Sequence, residues 1–104
     1  MQAPGSKKKI LGRLRDHHTR IRAFGVKRLG LFGSFVRGEE GPHSDVDLLV
    51  EFEPERKTFD NFMGLSLFLE ELFDRRVELV TVESLSPYLK PYIIEEVEYA
   101  SLSV

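Results

Sequence analysis

Residues 29–50 contain, in this order, an apolar run, a Gly-Ser pair, a polar loop and an Asp-x-Asp pair. The first apolar run ends at Gly33 and Ser34, and a second begins at Asp45 and Asp47. Because successive strand side chains alternate faces, the two aspartates point to the same side of a sheet. Paired carboxylates suit a cation, and backbone N–H groups at a Gly-Ser turn suit a phosphate. The segment therefore predicts a connected strand, turn, short helix, loop and strand that carry a nucleotide and metal site.

The spacing of apolar residues along the chain predicts an α/β (α+β) fold. The predicted elements are a helix over 7–24, a strand over 26–32, a short helix over 34–37, a strand over 46–52, a helix from Thr58 or Asp60 to about Phe73, a strand over 77–82, and a C-terminal helix within 84–99 that Pro87 and Pro91 break early. One side of the helix that ends near Phe73 is predicted to carry Phe59, Phe62, Ser66, Leu69 and Phe73. Helices that alternate with short strands favour a small mixed β-sheet flanked by helices. The length predicts a single domain over 7–104, preceded by a flexible tail over 1–6.

Composition excludes several classes of protein. Hydrophobic residues make up 41% and charged residues 31% of the chain, which is ordinary for a globular domain. No apolar run approaches the length of a membrane span or a signal peptide, so no membrane association is expected. The absence of cysteine excludes disulfides and thiolate zinc sites. These features favour a cytoplasmic location.

The charges are divided unevenly along the chain. Residues 1–28 carry nine Lys/Arg and one acid, giving +8, while the remaining residues carry six Lys/Arg and sixteen acids, giving −10. The basic segment either attracts an acidic partner or nucleotide, or is simply a solvated helix face. Aromatic side chains are not interleaved with these basic residues, so direct nucleic-acid binding is not expected. A homo-oligomer is left open.

A third acid on the next strand would complete a site for Mg²⁺ and a nucleoside triphosphate. Mg²⁺ usually takes one or two carboxylates together with phosphate oxygens and waters. Glu78 lies in a strand that the preceding helix could return beside Asp47, so Asp45, Asp47 and Glu78 form the candidate set of ligands for two ions. The Ser34 hydroxyl and the Arg37 guanidinium are placed to hold the phosphates.

Each of these features also has a purely structural interpretation. A Gly-Ser pair is common in turns, and an Asp-x-Asp pair is common at a solvated strand edge. Arg37 suits a surface ion pair equally well, and Glu78 suits an exposed strand position. The connected order of the elements favours the functional interpretation, because it is more specific than any of its parts.

Gly33-Ser34, Arg37-Gly38 and the run from Ser44 to Val50 together resemble the signature of the DNA polymerase β-like nucleotidyltransferase superfamily. The short chain and the run Val77-Glu78-Leu79-Val80 resemble its minimal nucleotidyltransferase (MNT) branch, the MntA-like antitoxins of HEPN/MNT pairs. The resemblance covers most of the chain, from about Gly25 to Tyr99.

The resemblance implies which residues form the site. Gly33, Ser34, Arg37 and Ser44 would bind the nucleotide, and Asp45 and Asp47 would bind the metal, with Glu78 as the third acid. The family commonly has aspartate at that third position, so Glu78 is a departure that bears on activity more than on nucleotide binding.

The resemblance also implies the reaction and the partner. We expect Mg²⁺-dependent transfer of a nucleoside monophosphate, AMP from ATP, to a hydroxyl of a HEPN-domain partner protein. The alternative is an antitoxin with weak or no catalysis that neutralises its partner by contact.

Overall fold

The computed structural model describes residues 6–103. Its helices are α1 (Lys7–Asp16), α2 (His18–Ala23), α3 (Ser34–Arg37), α4 (Phe59–Phe73) and α5 (Lys90–Glu96), with a single 3-10 turn at Val82–Ser84. Its strands are β1 (Val26–Phe32), β2 (Val46–Phe52), β3 (Val77–Thr81) and β4 (Glu98–Tyr99). None of these helices combines the length and the apolar character that a membrane crossing needs. Of the predicted tail, residues 1–5 lie outside the described part of the chain, and the Ser6 hydroxyl caps α1.

The four strands form one mixed sheet in the order β3-β2-β1-β4, so the predicted fold class is confirmed. β1 runs antiparallel to both β2 and β4, whereas β2 and β3 are parallel. A parallel connection needs a crossover, which α4 provides. The first two strands have the predicted bounds, and β3 ends one residue earlier than predicted, at Thr81.

The hydrophobic core lies on one face of the sheet. Alternate residues of β2, represented by Val46, Leu48 and Val50, pack in one cluster with side chains of α1, α2 and α4. Leu49 is equally buried but is not a member of that cluster, because its side chain points to the opposite face. Asp47 shares that opposite face, so the candidate site lies away from the core.

The prediction of one helix over 7–24 is wrong, since the chain bends at His17 and forms two helices. The His17 N–H donates to carbonyls of the last turn of α1, and its Nδ1 lies 2.9 Å from the Arg13 carbonyl oxygen. On either side of the bend, Ile10, Leu14 and Ile21 are all fully buried. With the bend at His17, both short helices contribute side chains to the same core cluster.

The C-terminal helix, α5, lies within the predicted range of 84–99 and begins after Pro87, but the prediction for Pro91 is wrong. Pro91 lies in the first turn of α5 and does not interrupt a helix, because that turn needs no N–H from it. The chain then forms β4, a strand that the sequence did not predict, opposite Gly30 and Leu31 of β1. A two-residue strand has no periodicity of its own, so only its pairing reveals it.

Phe59 does not share the buried side of α4 with the other residues of the predicted face. Phe59 is 78% exposed, whereas Leu65, Leu69 and Phe73 are buried and Phe62 is partly buried. The buried stripe is centred on Leu69, and a helical period of 3.6 residues places Phe59 to one side of it.

Candidate active site

Gly33 has a backbone conformation that only glycine adopts readily. Its φ of 81° and ψ of −151° lie outside the regions open to residues with a side chain. A Cβ at this position would overlap the Oδ2 of Asp47. The turn that follows β1 is therefore in direct contact with the aspartate of β2, and the missing side chain is what makes room for the carboxylate.

The strand register brings two acids together. Asp47 lies opposite Phe32 on β1 and beside Glu78 on β3, and residues paired in this way point to the same face. Glu78 is exposed, whereas Asp47 is partly buried, and Asp45 is partly buried one position before β2 begins. The expectation that α4 returns Glu78 beside Asp47 is confirmed.

The electrostatics of this face are unfavourable for an ionised Asp47. Burial raises its pKa to about 6, and the nearby negative charges of Glu78, Asp45 and Glu96 act in the same direction, while Arg37 lowers it. A carboxylate that is desolvated among other carboxylates is stabilised by a cation.

The donor set fits Mg²⁺ that arrives with a nucleotide. Within residues 6–103, no group of three or more His, Cys, Asp or Glu side chains is gathered closely enough to hold a metal without other ligands. Mg²⁺ is commonly bound by only one or two carboxylates, with substrate phosphates and waters completing its octahedron. Oxygen ligands on an exposed face of the sheet match that mode of binding.

The structure adds Glu96, which sequence analysis missed, to the site. Its Oε2 accepts the Gly33 N–H at 2.7 Å, and Arg37 Nη1 donates to Oε1 at 3.1 Å and to Oε2 at 3.2 Å. The Arg37 Nε also donates to Glu39 at 3.0 Å. Glu96 ends α5, 63 residues beyond Gly33, and no local motif marks it.

The two predicted serines have different positions. Ser34 is the first residue of α3 and is partly buried. Ser44 stabilises the loop before β2, because its hydroxyl oxygen accepts the Gly41 N–H at 2.8 Å and its carbonyl oxygen accepts from Arg75 at 2.7 Å. The structure thus shows Ser44 in a structural role, and its contact with a nucleotide stays a prediction.

A cleft of about 500 Å³ lies toward the other end of the same strands. Arg28, Glu51, Lys57, Ile94 and Tyr99 are among its lining residues, which include none of the predicted site residues. Four positions along a strand separate Asp47 from Glu51, which corresponds to roughly 13 Å.

The mixed sheet with its Gly-Ser turn and adjoining acids defines a nucleotidyltransferase fold. Residues 7–100 match the family model described as Nucleotidyltransferase domain, and the chain belongs to that family. It is accordingly a nucleotidyltransferase.

Individual relatives place the chain in the minimal branch of the family, which confirms the resemblance seen in the sequence. The protein adenylyltransferase MntA of Thermococcus cleftensis is 45% identical over 76 residues, which cover 73% of this chain and 76% of the relative. A solved structure, provisionally described as a minimal nucleotidyltransferase, is 36% identical with a TM-score of 0.68 and covers 85% of this chain and 93% of its own.

A second solved structure shares the fold. It is described as a toxin-antitoxin with AMP-PNP, is 20% identical with a TM-score of 0.64, and covers 82% of this chain and 70% of its own.

Proposed function

We propose that this protein transfers AMP from ATP to a hydroxyl group of a partner protein, in a Mg²⁺-dependent reaction, as the antitoxin of a toxin-antitoxin pair. The observation that carries the proposal is the contact between the Gly33 turn and Asp47, with Glu78 in register beside them. The relatives support the reaction and the pairing, because one is named a protein adenylyltransferase and another is a toxin-antitoxin with AMP-PNP. A HEPN-domain toxin as the partner, and a cytoplasmic location, are part of the same proposal.

The binding contacts divide between two sides of the site. The Gly33 N–H, the Ser34 hydroxyl and the Arg37 guanidinium would hold the β- and γ-phosphates, with Ser44 fixing the adjacent loop. Asp45, Asp47 and Glu78 would hold two Mg²⁺ ions. When bound, these ions neutralise charge on the phosphates and lower the pKa of an attacking hydroxyl.

The transfer is a single in-line displacement. The acceptor oxygen forms a bond to the α-phosphorus, the bond from that phosphorus to the α,β-bridging oxygen breaks, and pyrophosphate leaves with that electron pair. The hydroxyl proton passes to the exposed carboxylate of Glu78. The chain contributes mainly position and charge, as is general for phosphoryl and nucleotidyl transfer.

A contact-only antitoxin is the second candidate. The structure offers one observation in its favour, because the Gly33 and Arg37 donors are already paired with Glu96. The family resemblance implies aspartate at the position of Glu78, and this departure points in the same direction.

Label transfer from α-³²P-ATP separates the two functions. The assay combines the protein, Mg²⁺ and the product of the neighbouring gene, with Asp47→Asn as the test variant and Glu71→Gln, an exposed acid on α4, as the matched control. Label on the partner that disappears in Asp47→Asn and persists in Glu71→Gln supports the enzyme. A stable complex that carries no label, and that both variants still form, would instead favour neutralisation by contact.

A further inference from the structure

A carboxylate of the chain itself occupies the two donors that are proposed to hold the triphosphate. Glu96 accepts the Gly33 N–H and, through both of its oxygens, the Arg37 guanidinium. The Glu96 side chain is 24% exposed and that of Arg37 is 48% exposed. Carboxylate and phosphate oxygens use the same donors with similar geometry. The single Gly33 N–H cannot serve both anions at once, and an Arg37 N–H that is donated to Glu96 is not available to a phosphate.

The backbone around Glu96 is anchored to the sheet. Val97 and Tyr99 pack so closely on Gly30 that an added Cβ there would lie 2.5 Å from Val97 and 2.9 Å from Tyr99. β4 pairs with β1, and the Glu98 carboxylate forms an ion pair with Lys7 at 3.0 Å. The Glu96 carboxylate is therefore presented to the turn at a high effective concentration.

We propose that Glu96 is an internal competitor for the triphosphate, so that nucleotide binds only to molecules in which this carboxylate has left Gly33 and Arg37. The inference rests on the proposed function, since it concerns regulation of the same nucleotide site. Departure requires rotation of the Glu96 side chain and no movement of β4. The apparent Kd is raised by a factor of one plus the ratio of occupied to vacated sites. For a few charge-assisted contacts on a partly exposed surface we expect about a tenfold effect, which equals about 1.4 kcal/mol.

Isothermal titration with α,β-methylene-ATP and Mg²⁺ tests this competition, because the analogue cannot be cleaved at the transferred phosphate. The test variants are Glu96→Gln, which weakens the contact with Arg37, and Glu96→Ala, which removes both contacts. Glu95→Gln is the matched control, since it removes the same charge from the neighbouring exposed residue of α5. Hydrogen exchange of the Gly33 amide without nucleotide provides a separate readout of the contact.

The competition predicts that Glu96→Ala binds the analogue about tenfold more tightly than the parent, and that Glu96→Gln, which keeps an acceptor for the Gly33 N–H, shows a smaller gain. It also predicts that Glu95→Gln binds like the parent and that the Gly33 amide exchanges faster in Glu96→Ala. Binding that is equal in all variants would overturn the competition and leave the proposed function intact. Weaker binding in the Glu96 variants would also overturn the competition, because Glu96 would then assist nucleotide binding. The Gly33 amide could exchange faster in Glu96→Ala while neither the parent nor any variant binds the analogue. That result would overturn both the proposed triphosphate site and the competition.

Discussion

Replacing Asp47 with asparagine should stabilise the fold while abolishing transfer. Asp47 is partly buried beside other carboxylates, and its pKa is raised from 3.8 to about 6. An acid whose pKa is higher in the folded state holds its proton more tightly there. The stability that this proton contributes is complete below about pH 4 and is lost as the pH rises through about 6. The neutral amide of asparagine avoids that loss.

The magnitude follows from the size of the shift. A change of roughly two pKa units corresponds to at most about 3 kcal/mol, at about 1.4 kcal/mol per unit. Because the side chain is only partly buried and the neighbouring acids are screened by water, we expect about 1–2 kcal/mol at about pH 8. For a domain of this size, such a change raises Tm by roughly 5–15 °C.

Urea unfolding of the parent and Asp47→Asn, with EDTA present, measures this difference at about pH 8 and again at about pH 4. The free energy of unfolding of Asp47→Asn should exceed that of the parent at the higher pH, and the difference should nearly vanish at the lower pH. Glu71→Gln, on the exposed face of α4, controls for the loss of one charge and should show no comparable gain. The electrostatic reasoning would be refuted if Asp47→Asn were no more stable than the parent at about pH 8. It would also be refuted if the gain in stability were the same at both pH values.

Three further predictions concern Gly33, Gly30 and Glu78, and each of the two glycines has a second glycine as its control. Gly33→Ala should destabilise the fold by about 2–4 kcal/mol, because its Cβ meets the Asp47 carboxylate in a strained backbone region. Gly38→Ala, also at positive φ but with open space around it, should cost only about 1 kcal/mol, and equal losses in thermal unfolding would disprove the contact. Gly30→Ala should displace Val97 and Tyr99 and cost about 1–3 kcal/mol, whereas Gly12→Ala in α1, which meets no neighbour, should be neutral or stabilising. Glu78→Gln should reduce label transfer by about a hundredfold or more with unchanged folding, and full activity in that variant would remove Glu78 from the site.

Most of the site could be predicted because its parts are close in sequence. The Gly-Ser turn, α3, the polar loop and the start of β2 form one uninterrupted segment, and both strands around it have the predicted bounds. Glu78 could be placed beside Asp47 because a strand, a helix and a second strand usually return in parallel and side by side. Local patterns and one general rule of chain connection were sufficient for these residues.

The errors have a different origin, since each depends on contacts between distant segments. The two helices on either side of His17 share one core cluster with the sheet, and Phe59 lies outside the buried stripe of α4. β4 has no pattern of its own and exists only through pairing with β1. Local periodicity contains no information about such contacts.

The sequence by itself determined the class of the fold and the order of the elements around the candidate site, and it predicted Gly33, Asp45 and Asp47 as the centre of that site. Only the tertiary structure decided that the Asp47 carboxylate lies against the Gly33 backbone, and that Glu96 of α5 reaches the same turn. The physical reason is distance along the chain. A backbone turn and an alternating strand are specified by neighbouring residues, whereas the position of Glu96 is fixed by the pairing of β4 and the packing on Gly30.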